Sequence, residues 1–442
     1  MTSQSSTSET YDVVIVGGGI AGLTVAYRLG NQNVLLLEKE TQPGGRTLSM
    51  NMGRYVFNQG AQMIPGGETN VAKLADELGV TRTLIDKTKT STYMNGKFIT
   101  GSSEFKFLLG LPIPFLEKLK MAFGIMRMRS RYSGIVDISP RSDDRVLQEL
   151  SEKSFVERFN IRHPDVKAFW DSVSKSSSTL RAGEVAAFQP VNTFLHHAAD
   201  EFFVEDGTVQ LTKALADQTK ARVETGASVT EVVSTDTGVA IQYEQNGTTH
   251  RVQARKCVMA VPAPLALSVL RDLPETKRAA LEQCEYGAMS SAAFLVDKPS
   301  EHFFGKGNWR VPVVGMTTIG IGDPTFTFSD DMKREDGRGL IRLYAGDDGS
   351  QMLQKMSDDE ALDAFEKDLF DIFPSARGLV LDRALKHWPH AICPWRVGRL
   401  DLIDDIRAPH DNIHYCGDYT ENSGLESAVL SAKRVVSELT KG

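Results

Sequence analysis

Four residues near the start of the chain have the types and spacing needed to hold two linked phosphates and a sugar. Gly17, Gly19 and Gly22 follow the pattern G-x-G-x-x-G. The first permits a tight turn, the second lets a pyrophosphate approach the backbone, and the third lets a helix pack closely on a strand. Glu38 lies about 20 residues further on, where a carboxylate can hold a ribose hydroxyl. This carboxylate disfavours a 2′-phosphate on the dinucleotide, because like charges would meet.

Two strands and one helix must position these residues. The apolar runs at residues 13–16 and 34–37 are too short for helices and are typical of strands buried on both faces of a parallel sheet. Residues 23–29 have helical spacing, and the N-terminus of that helix would direct free N–H groups at the phosphates. The alternative is a glycine-rich turn that binds nothing. The complete strand–helix–strand context favours a dinucleotide site instead.

The composition is typical of a globular protein with two or more domains. The chain has 442 residues, of which 41% are hydrophobic and 24% are charged. A net charge of −7 argues against a nucleic-acid partner. Four scattered cysteines without C-x-x-C spacing predict no metal site and a reducing, cytoplasmic location. No apolar run is long enough for a membrane span, and the polar residues 1–10 predict a disordered tail rather than a signal peptide.

The segments after Glu38 resemble a large family of flavoenzymes. The GGGIAG run, the acid at 38, the GGR at 44–46 and the glycine of NQGAQ at 58–62 are similar to those of FAD-dependent amine oxidases, protoporphyrinogen oxidases and carotenoid desaturases. In that family the arginine of GGR reaches the cofactor pyrophosphate, so the resemblance assigns this role to Arg46. A planar guanidinium suits a diphosphate held beside a helix N-terminus.

The end of the chain resembles the second FAD signature of the family. A short apolar strand at 413–416 leads to Gly417 and Asp418, and a helix is predicted from about Gly424. The resemblance implies that Asp418 contacts the pyrophosphate–ribityl part and that the N–H of Leu425 faces the pyrimidine end of the flavin. Reduced flavin carries negative charge there, which a helix N-terminus stabilises. The alternative is a strand, loop and helix that merely close the sheet.

Together the two signatures imply non-covalently bound FAD. Within the middle of the chain, Val229 would touch the adenine region through its backbone, although it is equally consistent with an ordinary core valine. The implied cofactor-binding residues are Gly17, Gly19, Ile20, Ala21, Gly22, Glu38, Lys39, Gly45, Arg46, Gly60, Ala61, Gln62, Val229, Gly417, Asp418, Gly424 and Leu425.

The resemblance implies an α/β fold with a Rossmann-type, glutathione-reductase-like FAD-binding domain and a discontinuous substrate domain of mixed β-sheet plus helices. The FAD-binding domain is predicted to comprise residues 11–90, 201–265 and 386–442. The substrate domain is predicted to comprise residues 91–200, with a helical insert, and the sheet at 266–385. Local patterns predict an amphipathic helix at 69–79, an Asn-Gly hairpin at 94–100, a helix capped at Ser357 and a strand at FTFSD, residues 326–330.

The segment from 105 to 134 is apolar, methionine-rich and studded with basic residues. Two interpretations are open. We expect a helix pair that packs on the body of the protein and exposes a basic face, because such helices are common. The alternative is an amphipathic segment that makes peripheral membrane contact or admits a lipophilic substrate.

Four departures from the family pattern bear on the reaction. Ser291 stands where amine oxidases place a lysine near flavin N5. Gly424 stands at one of their two aromatic positions, and Trp395 is a candidate for the other. Cys393 is near the position of the covalent flavin cysteine of some amine oxidases, but a buried neutral thiol is the favoured interpretation. Asn58 replaces the acid that precedes the second glycine pair.

The first three departures disfavour an amine oxidase, whereas the run HWPHAICPWRVGRL at 387–400, the NGKF hairpin and the helical insert resemble protoporphyrinogen oxidases and carotenoid desaturases. Asn58 is a departure from that likeness too. The resemblance favours a protoporphyrinogen-oxidase-like or desaturase-like enzyme, in a biosynthetic role. It would oxidise a medium-to-large, mostly apolar or amphiphilic small molecule by hydride transfer to flavin N5, with oxygen or a quinone as electron acceptor. The alternatives are an amine or amino-acid oxidase that produces hydrogen peroxide, and a flavin-dependent isomerase or cyclase. The candidate catalytic residues are Gln62, His387, His390, Trp395 and Tyr419.

Overall fold

The computed structural model describes residues 10–85, 89–133, 141–196, 200–305, 307–323 and 336–441. Within these residues the strands are β1 (Thr10–Val16), β2 (Val34–Leu37), β3 (Ser49–Met52), β4 (Tyr55–Asn58), β5 (Ile64–Pro65), β6 (Arg82–Leu84), β7 (Thr90–Met94), β8 (Lys97–Gly101), β9 (Glu201–Val204), β10 (Arg222–Glu224), β11 (Ser228–Thr235), β12 (Gly238–Gln245), β13 (Thr248–Met259), β14 (Gly287–Val296), β15 (Arg310–Pro312), β16 (Gly320–Gly322), β17 (Gly339–Gly346), β18 (Val380–Ile392) and β19 (Ile413–Tyr415). The helices are α1 (Ile20–Leu29), α2 (Asn70–Glu77), α3 (Glu104–Gly110), α4 (Phe115–Tyr132), α5 (Arg145–Ser151), α6 (Phe155–Arg158), α7 (Pro164–Ser178), α8 (Phe188–His196), α9 (Val209–Gln218), α10 (Ala263–Val269), α11 (Glu275–Glu282), α12 (Glu301–Phe304), α13 (Asp347–Leu353), α14 (Asp358–Ile372), α15 (Ile403–Arg407) and α16 (Leu425–Thr440).

A seven-stranded sheet carries both ends of the chain. Its order is β10-β2-β1-β13-β12-β11, with β19 also paired to β13. The pairs β10–β2, β2–β1, β1–β13 and β13–β19 are parallel, whereas β11, β12 and β13 form an antiparallel meander. Strands β1 and β2 are apolar and almost entirely buried, as expected for a parallel sheet covered on both faces. The predicted Rossmann-type arrangement is confirmed.

A second sheet forms the substrate part. Its order is β15-β16-β17-β14-β18, and every pair of neighbours is antiparallel. The central strand β14 is buried along its whole length, and α14 packs on one face of this sheet through a shared apolar core. Residues 386–392 continue β18 in this sheet. The sequence-based boundary at 386 therefore cuts a strand that the structure keeps intact.

Several local predictions are confirmed. The hairpin β7–β8 turns at Asn95 and Gly96, which both have positive φ, as a two-residue type I′ turn requires. Helix α2 begins after Thr69, whose hydroxyl accepts from the N–H of Ala72 at 3.4 Å. Helix α14 begins with a capping box between Ser357 and Glu360. The predicted tail at 1–10 lies outside the described residues, except for Thr10, which begins β1. The predicted strand at 326–330 also lies outside the described residues.

The helix pair α3–α4 differs from our expectation. One side of α4 does pack on the body through Met121, Met128 and Tyr132. Its outer side is apolar rather than simply basic, and Leu116 and Phe123 are 69% and 64% exposed. The periodicity correctly indicated amphipathic helices, but it could not tell which of two apolar stripes would meet the core.

Candidate active site

A cavity of about 580 Å³ connects the seven-stranded sheet to the five-stranded sheet. On one side it is lined by Ile20 at the start of α1, by the 44–47 and 60–63 turns, and by the start of α16. On the other side it is lined by residues of β14, β16, β17 and β18, with α7 and α8 closing a flank. The charged, aromatic and other large side chains that line it include Arg46, Gln62, Met289, Arg310, Arg342, Tyr344, Trp388 and Asp418.

The glycine turn between β1 and α1 leaves space where a phosphate would lie. Gly17 has φ of +108°, a conformation that favours glycine. A methyl group on Gly22 would collide with the carbonyl oxygen of Gly17, so this glycine lets α1 pack on β1. A methyl group on Gly19 would meet no atom within 4 Å. Gly19 precedes α1, whose first turn has no side-chain cap and no acid, so its N–H groups are available to an anion.

Glu38 lies at the end of β2 and points back to this turn. Its carboxylate accepts hydrogen bonds from the N–H of Gly18 at 2.6 Å and of Glu40 at 2.9 Å. The backbone of Glu38 also pairs with Ala227, which brings the beginning of β11 and therefore Val229 beside it. The side chain of Lys39 is exposed and pairs with Glu40 at 3.4 Å. The structure thus places Glu38 and the strand with Val229 together, and directs the Lys39 side chain to the surface.

Arg46 and Asp418 join the two ends of the chain. The guanidinium of Arg46 donates two hydrogen bonds of 2.9 Å to the Asp418 carboxylate and a third to the carbonyl of Ala391. Burial lowers the pKa of Arg46, but the charge of Asp418, the neighbouring Tyr286 and the hydrogen bonds to Asp418 together raise it above its usual value. A methyl group on Gly60 would collide with the Arg46 carbonyl, so the second glycine turn packs directly on this residue.

Helix α16 begins at the cavity without a side-chain cap. Gly424 precedes it with φ of +111°, and a methyl group there would meet nothing within 4 Å. The carboxylate of Glu426 is turned away to accept from the N–H groups of Asn70 and Val71, where it caps α2. The N–H groups of the first turn, including that of Leu425, are therefore left for another acceptor.

The fold and the site define a flavoprotein of the FAD-binding type. Two uncapped helix N-termini, the open space at Gly19 and the buried carboxylate of Glu38 fit the pyrophosphate and ribose of a dinucleotide. The profile of the flavin-containing amine oxidoreductases matches residues 20–440. The chain belongs to this family, and it is an FAD-dependent oxidoreductase.

Similar proteins of known name include both amine and porphyrinogen oxidases. A probable flavin-containing monoamine oxidase A of Dictyostelium discoideum is 23% identical over 98% of both chains. The chloroplastic protoporphyrinogen oxidase 1 of Arabidopsis thaliana is 22% identical over 98% of this chain and 88% of its own length. Among solved structures, wild-type putrescine oxidase bound to putrescine has a TM-score of 0.79 at 19% identity, with 98% of this chain and 99% of the other covered. These likenesses establish the fold and leave the substrate open.

The five candidate catalytic residues do not assemble at one place. Gln62 lines the cavity, and its amide nitrogen donates to the carbonyls of Asn58 and Gly60 at 2.7 and 2.9 Å. Trp395 lies in the core of the helical part, packed on Phe188, and does not line the cavity. Tyr419 is also fully buried in a core cluster away from the cavity wall, and burial raises its pKa well above the usual value.

The two histidines lie along β18 outside the cavity wall. His387 shares a hydrogen bond of 2.7 Å with Ser290, and its pKa is lowered by burial. His390 packs edge-on against Tyr286, and burial, together with the positive charge of Arg46, lowers its pKa too. Both rings are therefore neutral at neutral pH, and neither faces the cavity.

The structure adds two cavity residues that the sequence analysis missed, Arg342 and Tyr344. They lie two residues apart on β17, so both side chains point to the same face of the sheet. Ser291 lies behind Arg342, whose Nε donates to the Ser291 hydroxyl at 2.7 Å. The available signal was an arginine inside the apolar run LIRLYAG. A charged residue in a buried strand needs a partner or a ligand.

Proposed function

We propose that this enzyme oxidises a medium-to-large organic molecule with a mostly apolar body, in the manner of protoporphyrinogen oxidases and desaturases. Bound FAD supplies the hydride acceptor, and the protein orients the reacting C–H bond and excludes water. The observation that carries the proposal is the cavity wall opposite the FAD-binding helices. It includes the large apolar and aromatic side chains of Met289, Trp309, Tyr344 and Trp388.

The cavity is less suited to a simple amine. The resemblance to amine oxidases implies an aromatic pair, but one of its positions is Gly424 and the other candidate, Trp395, lies in the core. Arg342 adds a positive charge to which no carboxylate is paired among the described residues, and this charge disfavours a protonated amine beside it. Ser291 supplies no lysine at the position where amine oxidases have one. These features support the assignment to the porphyrinogen-oxidase and desaturase side of the family.

FAD is expected to be held without a covalent bond. Cys393, the candidate for a covalent link, is 1% exposed and does not line the cavity. Burial raises the pKa of its thiol well above the usual value, so it stays protonated and unreactive. Denaturing the purified holoenzyme should therefore release all its FAD into the supernatant, whereas flavin that stays with the precipitated chain would contradict this assignment.

Turnover over a substrate panel tests the proposed function. The panel contains porphyrinogens, because relatives named as their oxidases match this chain, and the simple amines putrescine and cyclohexylamine. Peroxide release and quinone reduction are recorded separately, which identifies the electron acceptor. We expect turnover with a large apolar substrate, and rapid turnover of the simple amines would overturn the proposal. A product with the same mass as the substrate would indicate an isomerase or cyclase, since oxidation removes two hydrogens.

We also propose that the outer face of α3–α4 rests on an anionic membrane surface. Its exposed apolar side chains are Phe105 and Leu109 on α3 and Phe115, Leu116, Leu119, Phe123 and Met126 on α4. Residues 104–133 carry six basic and two acidic side chains, although the whole chain has a net charge of −7. The predicted cytoplasmic location would place this basic, apolar face beside an anionic leaflet. Among the described residues, no helix is long and apolar enough to cross a membrane.

Flotation with lipid vesicles tests the membrane proposal. The full-length holoenzyme should float with vesicles that contain phosphatidylserine and much less with neutral vesicles. Replacing Leu116 and Phe123 by serine should abolish flotation, whereas the matched change Leu381→Ser, at an apolar residue of β18 that is 48% exposed, should not. If the parent protein does not float, this face makes no lipid contact and the membrane proposal is overturned. If the double variant only changes a dimer into a monomer, the face binds a second copy of the chain, which also overturns the proposal.

A further inference from the structure

Arg342 is a buried cation at the cavity wall. Its exposed fraction is 6%, and it projects from the middle of β17, between apolar residues that face the opposite core. Its Nε atom donates to Ser291, and its guanidinium carbon lies 4.9 Å from the ring centroid of Tyr344. These two contacts fix the plane of the guanidinium. They leave its Nη atoms without a hydrogen-bond partner among the described residues.

Among the residues that the structure describes, no carboxylate forms an ion pair with Arg342, although Glu201 and Asp323 line the same cavity. Burial lowers the pKa of Arg342 to about 10, and the nearby positive charge of Arg310 acts in the same direction. The side chain nevertheless remains charged at neutral pH. Arg310 itself is different, because it donates to the hydroxyl of Ser176 at 2.9 Å and to that of Tyr344 at 3.3 Å. Burial lowers its pKa, but Tyr344 and, to a smaller extent, the charge of Glu201 raise it above the usual value. A buried charge without a counter-ion is costly, so such a group usually serves to bind something.

We propose that the Nη atoms of Arg342 bind a carboxylate group of the substrate. This inference rests on the proposed function and narrows its substrate class to an amphiphile, with an apolar body and at least one carboxylate. The planar fork of a guanidinium matches the two oxygens of a carboxylate, and the interaction is strong where water is excluded. The aromatic side chains of Tyr344 and Trp388, which line the same wall, would contact the apolar body.

Ser291 acts as a positioning residue in this arrangement. It is fully buried on β14, directly opposite Tyr344 in the sheet, and does not itself line the cavity. By accepting from Nε, its hydroxyl holds the guanidinium so that the Nη edge faces the cavity. At the position where the resemblance to amine oxidases implies a lysine, this chain therefore has a hydroxyl that supports an arginine from the neighbouring strand.

Binding of small aromatic probes to the holoenzyme tests the inference. Benzoate, its neutral isostere benzamide and phenyl phosphate are each titrated, and the change in the flavin absorption band reports binding. We expect benzoate to bind at least tenfold more tightly than benzamide and more tightly than phenyl phosphate. Arg342→Met should abolish the preference for benzoate over benzamide, and Arg342→Lys should retain part of it. The matched control Arg278→Met, which removes a charge on α11 away from the cavity, should leave the preference unchanged.

Equal binding of benzoate and benzamide to the parent protein would overturn the inference. This comparison needs no variant, so it decides the question even if the Arg342→Met protein folds poorly. An undiminished benzoate preference in a folded Arg342→Met protein would also overturn it, and tighter binding of phenyl phosphate would refute the carboxylate assignment. Ser291→Ala should weaken benzoate binding but leave benzamide binding unchanged. The proposed function fails separately: turnover of simple amines would refute it even if the preference for benzoate persisted.

Discussion

Substitution of Gly19 by alanine separates cofactor binding from folding. Gly19 has φ of −74° and ψ of 177°, which alanine adopts without strain, and its methyl group would meet no protein atom within 4 Å. The free energy of unfolding of the cofactor-free protein should therefore stay unchanged or rise by about 0.4–1 kcal/mol, because alanine reduces the entropy of the unfolded chain. The methyl group would, however, occupy the space through which a pyrophosphate approaches the N–H groups of α1.

The expected loss of FAD affinity follows from these N–H groups. If the phosphate is displaced enough to lose two charge-assisted hydrogen bonds, at about 1.5 kcal/mol each, the loss is about 3 kcal/mol. That corresponds to a Kd about 100-fold higher. Gly22→Ala should behave differently, since its methyl group collides with the Gly17 carbonyl and must shift α1 away from β1. That variant should lose stability even without the cofactor.

Fluorescence titration of the deflavinated protein with FAD, combined with thermal unfolding, checks both effects. Gly124→Ala is a matched control, because this helical glycine in α4 also has no atom within 4 Å of an added methyl group and lies away from the cavity. It should gain stability by about 1 kcal/mol and bind FAD like the parent. If Gly19→Ala binds FAD as tightly as the parent, the glycine turn is a structural turn and the assignment of the cofactor site to α1 is refuted.

Two further predictions concern Glu38 and Lys277. Glu38→Gln should raise the Kd for FAD about tenfold in the same titration. The reason is that an amide cannot accept from both N–H groups that the carboxylate now holds. An unchanged Kd would contradict a role of Glu38 in cofactor binding. Burial lowers the pKa of Lys277 from 10.5 to about 8, so at intermediate pH the unfolded chain binds more protons than the native protein. The free energy of unfolding in urea should therefore rise with pH between about 8 and 10.5, and Lys277→Met should remove this rise. If the free energy of unfolding of the variant rises equally with pH, Lys277 is not the source of the rise.

The local structure of the candidate cofactor site was predictable from the sequence because its signals are local. Gly17, Gly19 and Gly22 act through their own turn, and Glu38 follows from the length of one strand–helix–strand unit. The Asn95-Gly96 hairpin and the cap at Ser357 are equally local, and all of these features are present in the structure. Even so, the sequence did not indicate that Arg46 would pair with Asp418, since the two are 372 residues apart.

The substrate half was not predictable because it depends on how strands from distant segments pair. Trp395 and Tyr419 are aromatic residues beside known signatures, yet both rings are buried in separate cores, Trp395 after β18 and Tyr419 after β19. Conversely, Arg342 is 51 residues from Ser291, and nothing local indicates that β14 and β17 are neighbours. The same limitation applies to α4, whose two apolar stripes look alike in the sequence.

Anaerobic mixing of the purified holoenzyme with candidate substrates is the decisive test of the proposed reaction. Without oxygen or a quinone, a substrate that is oxidised must leave its electrons on the flavin and bleach the flavin absorption band. We expect rapid bleaching by a large, apolar, carboxylate-bearing substrate such as a porphyrinogen, and no bleaching by putrescine or cyclohexylamine. Rapid bleaching by either simple amine, with no response to the larger substrates, would contradict the proposed reaction.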